Sequence, residues 1–545
     1  MNNELKQITG NIVDLVSKEI YGAVLTVDGG KITNIERTGK DEGRFLMPGF
    51  IDGHVHIESS MTTPSNFAKA AVKHGTIGVV TDPHEIANVM GIEGIDYMIE
   101  NAEGIPFYFC FGAPSCVPAT PFETSGAKLE AADIEKLMKR DDIHFLAEVM
   151  NFPAVVYNDA DMHAKLNAAK ANNKPIDGHI PGIEGELLKK YIACGITTDH
   201  ECATLEEAIE KCDLGMKIQI REGSAAKNFE ALHPLFKDHA DMTMLCSDDL
   251  HPANLKEGHI NLLVKRALDK GYNVFDVLRA ASYNAIKHYN MKAGLLQQGD
   301  NADFIVVDNL KDLHVLSTYV KGECVFDGKE SKIIAPVSKV INNFNIEKIS
   351  EQDLAVYPET NRIKVIRCFD GDLITECEIH DATVVNDNVV SNVEEDILKI
   401  VVVNRYVQSK PAVGFIKGVG LKRGACAVSI AHDSHNIIAV GCSDHEICKA
   451  INAIIESKGG ISVIDGGETT LLPLEIGGII SSKEIDEIDS LYEACNQKIK
   501  AIGSTLHAPQ MTLSFMSLLV IPKIKIGDKG LFDVTKFEFT SLFES

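Results

Sequence analysis

The sequence predicts an α/β fold centred on a (β/α)8 TIM barrel, with a small β-sandwich domain built from both flanks of the barrel and an additional α+β domain at the C-terminus. Three observations lead to this prediction. From about residue 50 to residue 290, eight strand-like runs alternate with helix-like segments. Short strands with Gly and Asp turns lie on both sides of this region. A region of mixed strands and helices follows, from residue 347 to residue 545.

Each predicted barrel strand is a short apolar run bounded by turn or polar residues. In chain order the runs are GFIDGHVH, TIGVVTD, IPFYFCFG, IHFLAEV, KPIDGHI, GITTDHE, MKIQIRE and DMTMLCSDD. Amphipathic stretches between them predict helices, among them 64–73, 160–171, 185–193 and 205–212. Because eight strands, each followed by a helix, form the repeat of a TIM barrel, we expect these strands to close into one.

The flanking segments predict the other domains. Residues 8–46 alternate apolar runs with turns, and the pair Gly29-Gly30 is typical of a hairpin. GLLQQGDNADFIVVDN and STYVKGECVFDG have the same pattern, so we expect them to complete the same small β domain. Further on, HEICKAINAIIESKGG predicts a helix with a glycine C-cap. The predicted limits are 1–48 and 291–330 for the small β domain, 49–290 for the barrel, 331–346 for a linker and 347–545 for the C-terminal domain.

Bulk properties exclude some classes of function. A chain of 545 residues is too long for one hydrophobic core. The net charge of −25 argues against binding nucleic acid or an anionic membrane through a general basic field. The 13 cysteines show no C-x-x-C spacing, which favours a reducing compartment. The N-terminus lacks a signal-peptide pattern and no apolar run could span a bilayer, so we expect a cytoplasmic protein. We also expect a homo-oligomer.

Candidate metal ligands recur at the predicted C-terminal ends of the barrel strands, where TIM barrels collect their chemistry. His54 and His56 stand two residues apart, so in a strand they point to the same side. Any single residue of this kind could be a buried structural group. Six of them at five strand ends favour a site for Zn, Mn or Fe, which histidine and carboxylate ligands suit. The six are His54, His56, Glu148, His179, His200 and Asp248.

Several motifs resemble the amidohydrolase superfamily and, more narrowly, its bacterial and archaeal adenine deaminases. They are LMPGFIDGHVHIESS, VVTDPHEIANVMG, LAEVMNFP, GHIPG, TTDHE, CSDD, NADFIVV and SIAHDSHNI, and together they extend over essentially the whole chain. The resemblance implies a metal-bearing barrel and the hydrolytic deamination of adenine to hypoxanthine and ammonia, a step of purine salvage. Composition and spacing alone indicate a barrel and a metal cluster, and they do not indicate adenine.

Two departures from the superfamily pattern bear on the chemistry. Many two-metal amidohydrolases bridge their ions with a carboxylated lysine on the fourth strand, where this chain has Glu148. The adenine deaminases are similar in using a glutamate there. Mononuclear deaminases of the superfamily carry H-x-x-E after the fifth strand, but Gly182 is the third residue after His179 in this chain. The residue that protonates the purine ring therefore stays open.

The expected centre holds two divalent ions, Mn²⁺ or Fe²⁺, with Zn²⁺ as an alternative. Two ions can lower the pKa of a shared water to near neutrality, which makes hydroxide available for attack on the purine. Glu148 is expected to bridge the ions, and both Glu148 and Asp248 are expected to be catalytic. Asp248 is the expected general base, which takes the proton of the water and delivers it to the leaving amine. The expected ligands are His54, His56, Glu148 and Asp248 for one ion, and Glu148, His179 and His200 for the other.

Other polar residues on the predicted rim are candidates for contact with substrate or with the ligands, the alternative being solvated loop charges. They are Glu58, Asp82, His84, Glu85, Arg221, Glu222, Asp249 and His251, with His432 and His435 in the C-terminal AHDSHN segment. Two other functions stay open at this point. One is hydrolysis of a cyclic amide such as a dihydropyrimidine, and the other is a metal-free scaffold of the same fold.

Overall fold

The structure, a computed structural model, describes residues 5–224 and 226–544. The chain divides into two units. The barrel unit comprises Met1–His84, Asp96–Cys116 and Leu129–Val337, and the C-terminal unit comprises Glu85–Ile95, Val117–Lys128 and Ser338–Ser545. Two short segments from the region predicted as barrel therefore belong to the C-terminal unit. The exact residues at which the predicted domains begin and end stay predictions.

In the barrel region, 50–290, strands alternate with helices as the sequence predicts, and the strands on either side of it, up to residue 337, follow one another without helices between them. The strands are β1 (Lys6–Asp14), β2 (Glu19–Asp28), β3 (Lys31–Arg37), β4 (Phe45–Pro48), β5 (Phe50–Val55), β6 (Thr76–Thr81), β7 (Tyr108–Ala113), β8 (Phe145–Val149), β9 (Ile176–Gly178), β10 (Thr198–Asp199), β11 (Lys217–Arg221), β12 (Thr243–Cys246), β13 (Phe304–Val307), β14 (Val315–Val320) and β15 (Glu323–Phe326). The helices are α1 (Pro64–Ala71), α2 (His84–Met90), α3 (Ile92–Ala102), α4 (Ala131–Met138), α5 (Phe152–Val156), α6 (Ala160–Ala171), α7 (Gly185–Ala193), α8 (Leu205–Asp213), α9 (Phe229–Leu232), α10 (Leu235–Asp238), α11 (Pro252–Glu257), α12 (Ile260–Asp269), α13 (Val274–Leu278) and α14 (Asn284–His288).

Strands β5 to β12 form the barrel. Seven of them lie within their predicted runs, and β7 extends one residue beyond its run, to Ala113. They pair in parallel in the orders β5-β6-β7-β8-β9 and β10-β11-β12. The backbone N–H of Thr197 donates to the carbonyl of Ile176 at 2.9 Å, which joins the two groups. A parallel bridge between Val55 and Asp248 closes the barrel at the C-terminal ends of its last and first strands. The predicted barrel is confirmed.

The strands of both flanks combine in one seven-stranded sheet. Its order is β15-β14-β13-β4-β1-β2-β3, and the antiparallel pairing of β13 with β4 joins the two flanks. Buried Ile12, Leu25, Leu46 and Phe304 form part of its core. The small β domain was expected as a sandwich, and all seven strands belong to one hydrogen-bonded sheet because β4 pairs with β1 on one side and with β13 on the other.

Helix boundaries follow local chemistry. The side chains of Asp159 and Thr204 accept hydrogen bonds from the backbone N–H groups of Met162 and Glu207, which caps the N-termini of α6 and α8. Because capping satisfies donors that the helix itself cannot, these helices begin at the residues that the sequence pattern predicts.

The C-terminal unit contains an eight-stranded sheet with helices. Its strands after residue 337 are β16 (Arg362–Arg367), β17 (Glu376–Asp381), β18 (Val384–Val385), β19 (Asn388–Val389), β20 (Ile397–Val403), β21 (Ala412–Lys417), β22 (Ala425–Val428), β23 (Ile437–Gly441), β24 (Gly460–Asp465), β25 (Glu468–Pro473), β26 (Ile524–Gly527), β27 (Gly530–Asp533) and β28 (Glu538–Phe539). Its helices there are α15 (Asp444–Ser457), α16 (Ile485–Ala501) and α17 (Pro509–Ser514). The main sheet has the order β17-β16-β21-β20-β23-β22-β24-β25.

The predicted glycine C-cap of α15 is wrong by one position. Lys458 ends the helix with φ 60°, in the left-handed region, and Gly459 follows it. The N–H of Lys458 bonds back to the helix, so the closing hydrogen bonds offset the cost of this conformation for a residue with a Cβ.

Among the described residues, no helix combines the length and the apolar character needed to cross a bilayer. All thirteen cysteines are free thiols.

Candidate metal centre

The six predicted ligands come together at the C-terminal ends of the barrel strands. His54 lies in β5 and Glu148 in β8. His56, His179 and His200 directly follow β5, β9 and β10, and Asp248 is the second residue after β12. Parallel strands in a barrel end at the same rim, so residues far apart in the chain meet there. Five of the six are at most 5% exposed, and His179 is half-buried.

Three of these side chains form a nearly regular triangle of donor atoms. His54 Nε2 lies 3.2 Å from His56 Nε2, and each of these nitrogens lies 3.3 Å from Asp248 Oδ1. Ligands bonded to a divalent ion at about 2.1 Å in tetrahedral directions are roughly 3.4 Å apart. The triangle therefore has the size of one face of such a coordination shell. His56 Nδ1 donates to the carbonyl of Asp82 at 3.0 Å, which leaves Nε2 for an ion.

Glu148 directs its two oxygens at different donors. Oε1 lies 3.3 Å from His56 Nε2, on the side of the triangle. Oε2 lies 2.7 Å from His179 Nδ1 and 3.4 Å from His200 Nε2. A carboxylate in this position can bind one ion through each oxygen, which is the role of a bridging ligand. This donor set of imidazoles and carboxylates fits divalent transition metals.

The electrostatics keep the carboxylates in the form that binds metal. Burial alone would raise the pKa of Glu148, but hydrogen bonds from His179 and His200 hold that pKa well below its usual range. Burial likewise opposes ionisation of Asp248, but the charge of Arg221 together with hydrogen bonds from His54 and His56 outweighs it, so this pKa is also well below its usual range. For His54, burial lowers the pKa and favours the neutral imidazole, which is the form that binds metal.

Asp248 has an unusual backbone conformation that its neighbours hold. Its φ is 56°, in the left-handed region that residues with a Cβ rarely adopt. Its N–H donates to the carbonyl of His54 at 2.9 Å, and its carbonyl accepts from the N–H of His56 at 3.2 Å. Such strain persists where the surroundings over-determine it, as happens at functional sites.

A buried aspartate ties the two strands that carry this triangle. Asp52 is 0% exposed, and its Oδ1 accepts from the backbone N–H groups of His54 at 3.2 Å and Ser247 at 3.0 Å. Its Oδ2 pairs with His259 Nε2 at 2.8 Å. Because Ser247 precedes Asp248, this one carboxylate sets the backbone on both sides of the donor triangle.

Buried Tyr191 connects the backbone at the ends of β8 and β9 in a similar way. The Tyr191 hydroxyl donates to the carbonyl of Val149 at 2.6 Å and accepts from the N–H of His179 at 3.2 Å. Val149 follows Glu148, so this hydroxyl couples the ends of β8 and β9.

Sequence reasoning missed Glu201. Its Oε1 lies 3.4 Å from His200 Nε2 and 3.7 Å from His179 Nδ1, and its Oε2 accepts from Arg221 Nη2 at 3.0 Å. Arg221 also donates to Asp248 Oδ2 at 3.0 Å, so the predicted rim arginine lies between two carboxylates of the cluster. The signal was present in TTDHE, where an acid directly follows a ligand-type histidine at a strand end.

Asp82 and His84 also belong to the cluster. His84 Nδ1 lies 3.2 Å from Asp82 Oδ2 and 3.4 Å from Glu148 Oε1. With His56 and Glu148 these two residues form a second group of buried ligand-type atoms.

The remaining barrel candidates have other contacts. The Asp249 carboxylate accepts from the Ser59 hydroxyl at 2.5 Å, and buried Glu58 lies in a 3-10 turn over Ile57–Ser60. Glu222 pairs with Arg266 at 2.8 Å. The backbone N–H of His251 donates to the Ser224 hydroxyl at 2.8 Å, at the start of α11.

The last three candidates meet within the C-terminal unit. The carboxylate of Glu85 pairs with His435 Nε2 through one oxygen, and its other oxygen lies 3.3 Å from His432 Nδ1. Burial lowers the pKa of His435, and the negative charge of Glu85 opposes that effect only in part. His432 also stacks on Phe515, with ring centroids 4.7 Å apart. The AHDSHN segment therefore contacts Glu85, the glutamate of the TDPHE motif.

Comparisons with known proteins agree with this arrangement. The amidohydrolase family model matches residues 45–346, and the model of the adenine deaminase C-terminal domain matches residues 372–538. An adenine deaminase of Parabacteroides distasonis is 53% identical over 545 residues, which covers 99% of this chain and 100% of the relative. An adenine deaminase of Methanosarcina mazei is 49% identical over 554 residues, with 99% and 100% covered. One of Salinibacter ruber is 49% identical over 538 residues, with 98% of each chain covered.

The amidohydrolase model includes the predicted barrel and its C-terminal flank, and the other model matches most of the predicted C-terminal domain. These two relatives, from Parabacteroides distasonis and Methanosarcina mazei, match over 99% of this chain and 100% of their own length, at 53% and 49% identity. The chain therefore belongs to the amidohydrolase family and, over its whole length, to the adenine deaminases within it.

Proposed function

We propose that this protein catalyses the hydrolytic deamination of adenine to hypoxanthine and ammonia. The observation that carries the proposal is the similarity to proteins named adenine deaminase, at 53% identity over 99% of the chain. A cyclic-amide hydrolase with a bridging lysine on the fourth strand is not favoured, because β8 is FLAEV and offers Glu148 instead. A metal-free scaffold is not favoured either, since six ligand-type side chains converge on one rim.

We assign two divalent ions to the cluster, Mn²⁺ or Fe²⁺, with Zn²⁺ as an alternative. The ligands would be His54, His56, Glu148 and Asp248 for the first ion and Glu148, His179 and His200 for the second. The donor separations of 3.2 and 3.3 Å in the first group support this assignment. Divalent ions bound there would lower the pKa of a water molecule to near neutrality and so supply hydroxide at pH 7.

The residues of the chain supply the proton transfers. Asp248 is the proposed general base. Arg221 donates to its Oδ2 at 3.0 Å and thereby orients the carboxylate, with Oδ1 towards the histidine nitrogens. A base in this position takes a proton from the attacking water and returns it to the amine that leaves from C6 of adenine. Deep burial of the surrounding side chains strengthens these electrostatic interactions by keeping bulk water away. The homo-oligomer and the cytoplasmic location stay predictions.

The test is release of ammonia from adenine by the purified protein. Apo-protein would be loaded separately with Mn²⁺, Fe²⁺ or Zn²⁺ and supplied with adenine, dihydroorotate or hydantoin. We expect ammonia from adenine with at least one metal, and no hydrolysis of either cyclic amide. Hydrolysis of a cyclic amide with none of adenine would replace the proposal by its main rival.

A further inference from the structure

A fully buried lysine bonds to the residues next to the two histidines of the proposed second ion. Lys211 is on α8, and both Lys211 and Asp199 are 0% exposed. Glu207, one helical turn before Lys211, is 3% exposed. Two carboxylates and one ammonium thus occupy the interface between α8 and the end of β10.

The ammonium group has three partners for its three protons. Lys211 Nζ donates to Asp199 Oδ2 at 2.9 Å, to Glu207 Oε1 at 2.6 Å and to the carbonyl of Ile180 at 2.7 Å. A buried cation with all its hydrogen bonds made is held in one orientation, because any other orientation would leave it unpaired in a region of low dielectric.

The two carboxylates pass this order on to the backbone. Asp199 Oδ1 accepts from the N–H of Ile180 at 2.9 Å, so the Ile180 peptide is held at both its N–H and its carbonyl. Glu207 accepts from the N–H groups of Gly182 at 2.8 Å and Ala203 at 3.0 Å. The network thereby joins the loop after β9 to the loop after β10.

These two loops carry the histidines themselves. His179 directly precedes Ile180, and His200 directly follows Asp199. Replacing a buried ion group by apolar side chains is often neutral or stabilising, so stability alone does not account for this cluster. Its specific effect is to fix the distance between the loop after β9 and the loop after β10, which are about twenty residues apart in the sequence.

We propose that Lys211 is a positioning residue for the second metal ion, acting through Asp199 and Ile180 on His200 and His179. The proposal rests on the two-ion assignment made above. It predicts that loss of the ammonium weakens binding of one ion much more than of the other, because the triangle of His54, His56 and Asp248 is held by Asp52 instead.

The test is Lys211→Met, which keeps the length of the side chain and removes the charge. Apo-protein would be titrated with Mn²⁺, and hydrogen exchange of the backbone around Ile180 would be followed in the absence of metal. We expect affinity for the second equivalent to fall about 10- to 100-fold, affinity for the first to change less than about 3-fold, and exchange at Ile180 to accelerate. Glu207→Gln, which keeps an acceptor for Gly182, should move all three measurements less and in the same direction, and it serves if Lys211→Met does not fold.

The matched control is Lys399→Met in the C-terminal unit. Lys399 is also 0% exposed, pairs with Asp444 at 2.6 Å and donates to the carbonyl of Leu354 at 3.0 Å. The Lys399→Met variant should lose thermal stability, and its affinities for the first and the second Mn²⁺ should stay unchanged. If Lys211→Met behaves like this control, the positioning role is wrong. If the wild-type protein binds one ion in total, or does not deaminate adenine, the fault lies in the proposed function, and exchange at Ile180 still tests the network.

Discussion

Arg221 Nη1 lies 3.0 Å from Asp248 Oδ2, so the proposed general base is held by an arginine on its side away from the histidines. The same guanidinium pairs with Glu201, which lies beside His179 and His200. One arginine from β11 thus links carboxylates that follow β10 and β12. The arrangement orients Asp248 before any substrate binds.

Arg221→Met should therefore lower kcat about 10- to 100-fold, because Asp248 loses the partner that orients it. Steady-state kinetics with adenine would be measured together with metal content. Arg140→Met is the control, since Arg140 makes ion pairs with Asp96 and Asp142 and is partly exposed. Equal activity of Arg221→Met and the control would show that Arg221 does not contribute to catalysis.

Asp248→Asn should reduce kcat by about 10²- to 10⁴-fold while much of the metal stays bound, because the amide keeps one ligand oxygen and loses the basicity. Neighbouring Asp249 provides the comparison, since its carboxylate accepts from the Ser59 hydroxyl at 2.5 Å. Both variants would be assayed side by side with metal quantified. A larger loss in Asp249→Asn would transfer the role of base to Asp249.

Glu148→Gln should lose most activity and bind one equivalent of metal less tightly while the protein stays folded. An amide can no longer present one anionic oxygen to each ion, so the charge of the ions is less neutralised. Metal titration and thermal unfolding would be followed, with exposed Glu230→Gln as the control. Full activity of Glu148→Gln with two ions bound would show that Glu148 is not the bridge.

His435→Ala should destabilise the C-terminal unit by about 1.5–3 kcal/mol, because it removes the imidazole that pairs with the buried carboxylate of Glu85. Thermal and urea unfolding would be compared with His380→Ala, which breaks a partly exposed pair with Glu378 in the same unit. The control should cost at most about 1 kcal/mol. Adenine turnover of the same variant tests the expected contribution of the AHDSHN segment to catalysis, and unchanged stability and turnover would refute that contribution.

His74 should make the protein sensitive to acid. Burial, and then the charge of His259, lowers the pKa of His74 to about 4 from its usual value of 6.5. The folded state resists protonation, so its free energy of unfolding is unaffected by this group above about pH 6.5 and falls as the pH drops towards 4, by about 1.4 kcal/mol per pH unit.

His74→Gln removes this titration and keeps a donor for the carbonyl of Leu255, which His74 Nε2 contacts at 2.9 Å. Between pH 6.5 and pH 5, metal-free wild-type protein should lose about 2 kcal/mol more than the variant in urea unfolding. Exposed His445→Gln should follow the wild-type curve. Parallel curves for wild type and His74→Gln would contradict the prediction.

The sequence by itself determined the barrel, because each strand is a short apolar run and every predicted run coincides with one of the strands β5 to β12 to within a few residues. It also indicated the six ligand-type residues, since residues at the C-terminal ends of parallel strands share one rim whatever their separation in the chain. Glu148 could be singled out because a carboxylate stands where related enzymes use a modified lysine.

Only the tertiary structure decided which side chains surround that cluster. The sequence did not single out Glu201, Asp52 or Lys211, and their roles arise from contacts with residues such as Arg221, His259 and Ile180. The sequence also assigned Glu85 to the barrel rim, whereas its carboxylate meets His432 and His435, about 350 residues later in the chain. The physical reason is that strand and helix patterns arise from neighbours along the chain, while hydrogen bonds of buried polar groups depend on which segments pack together.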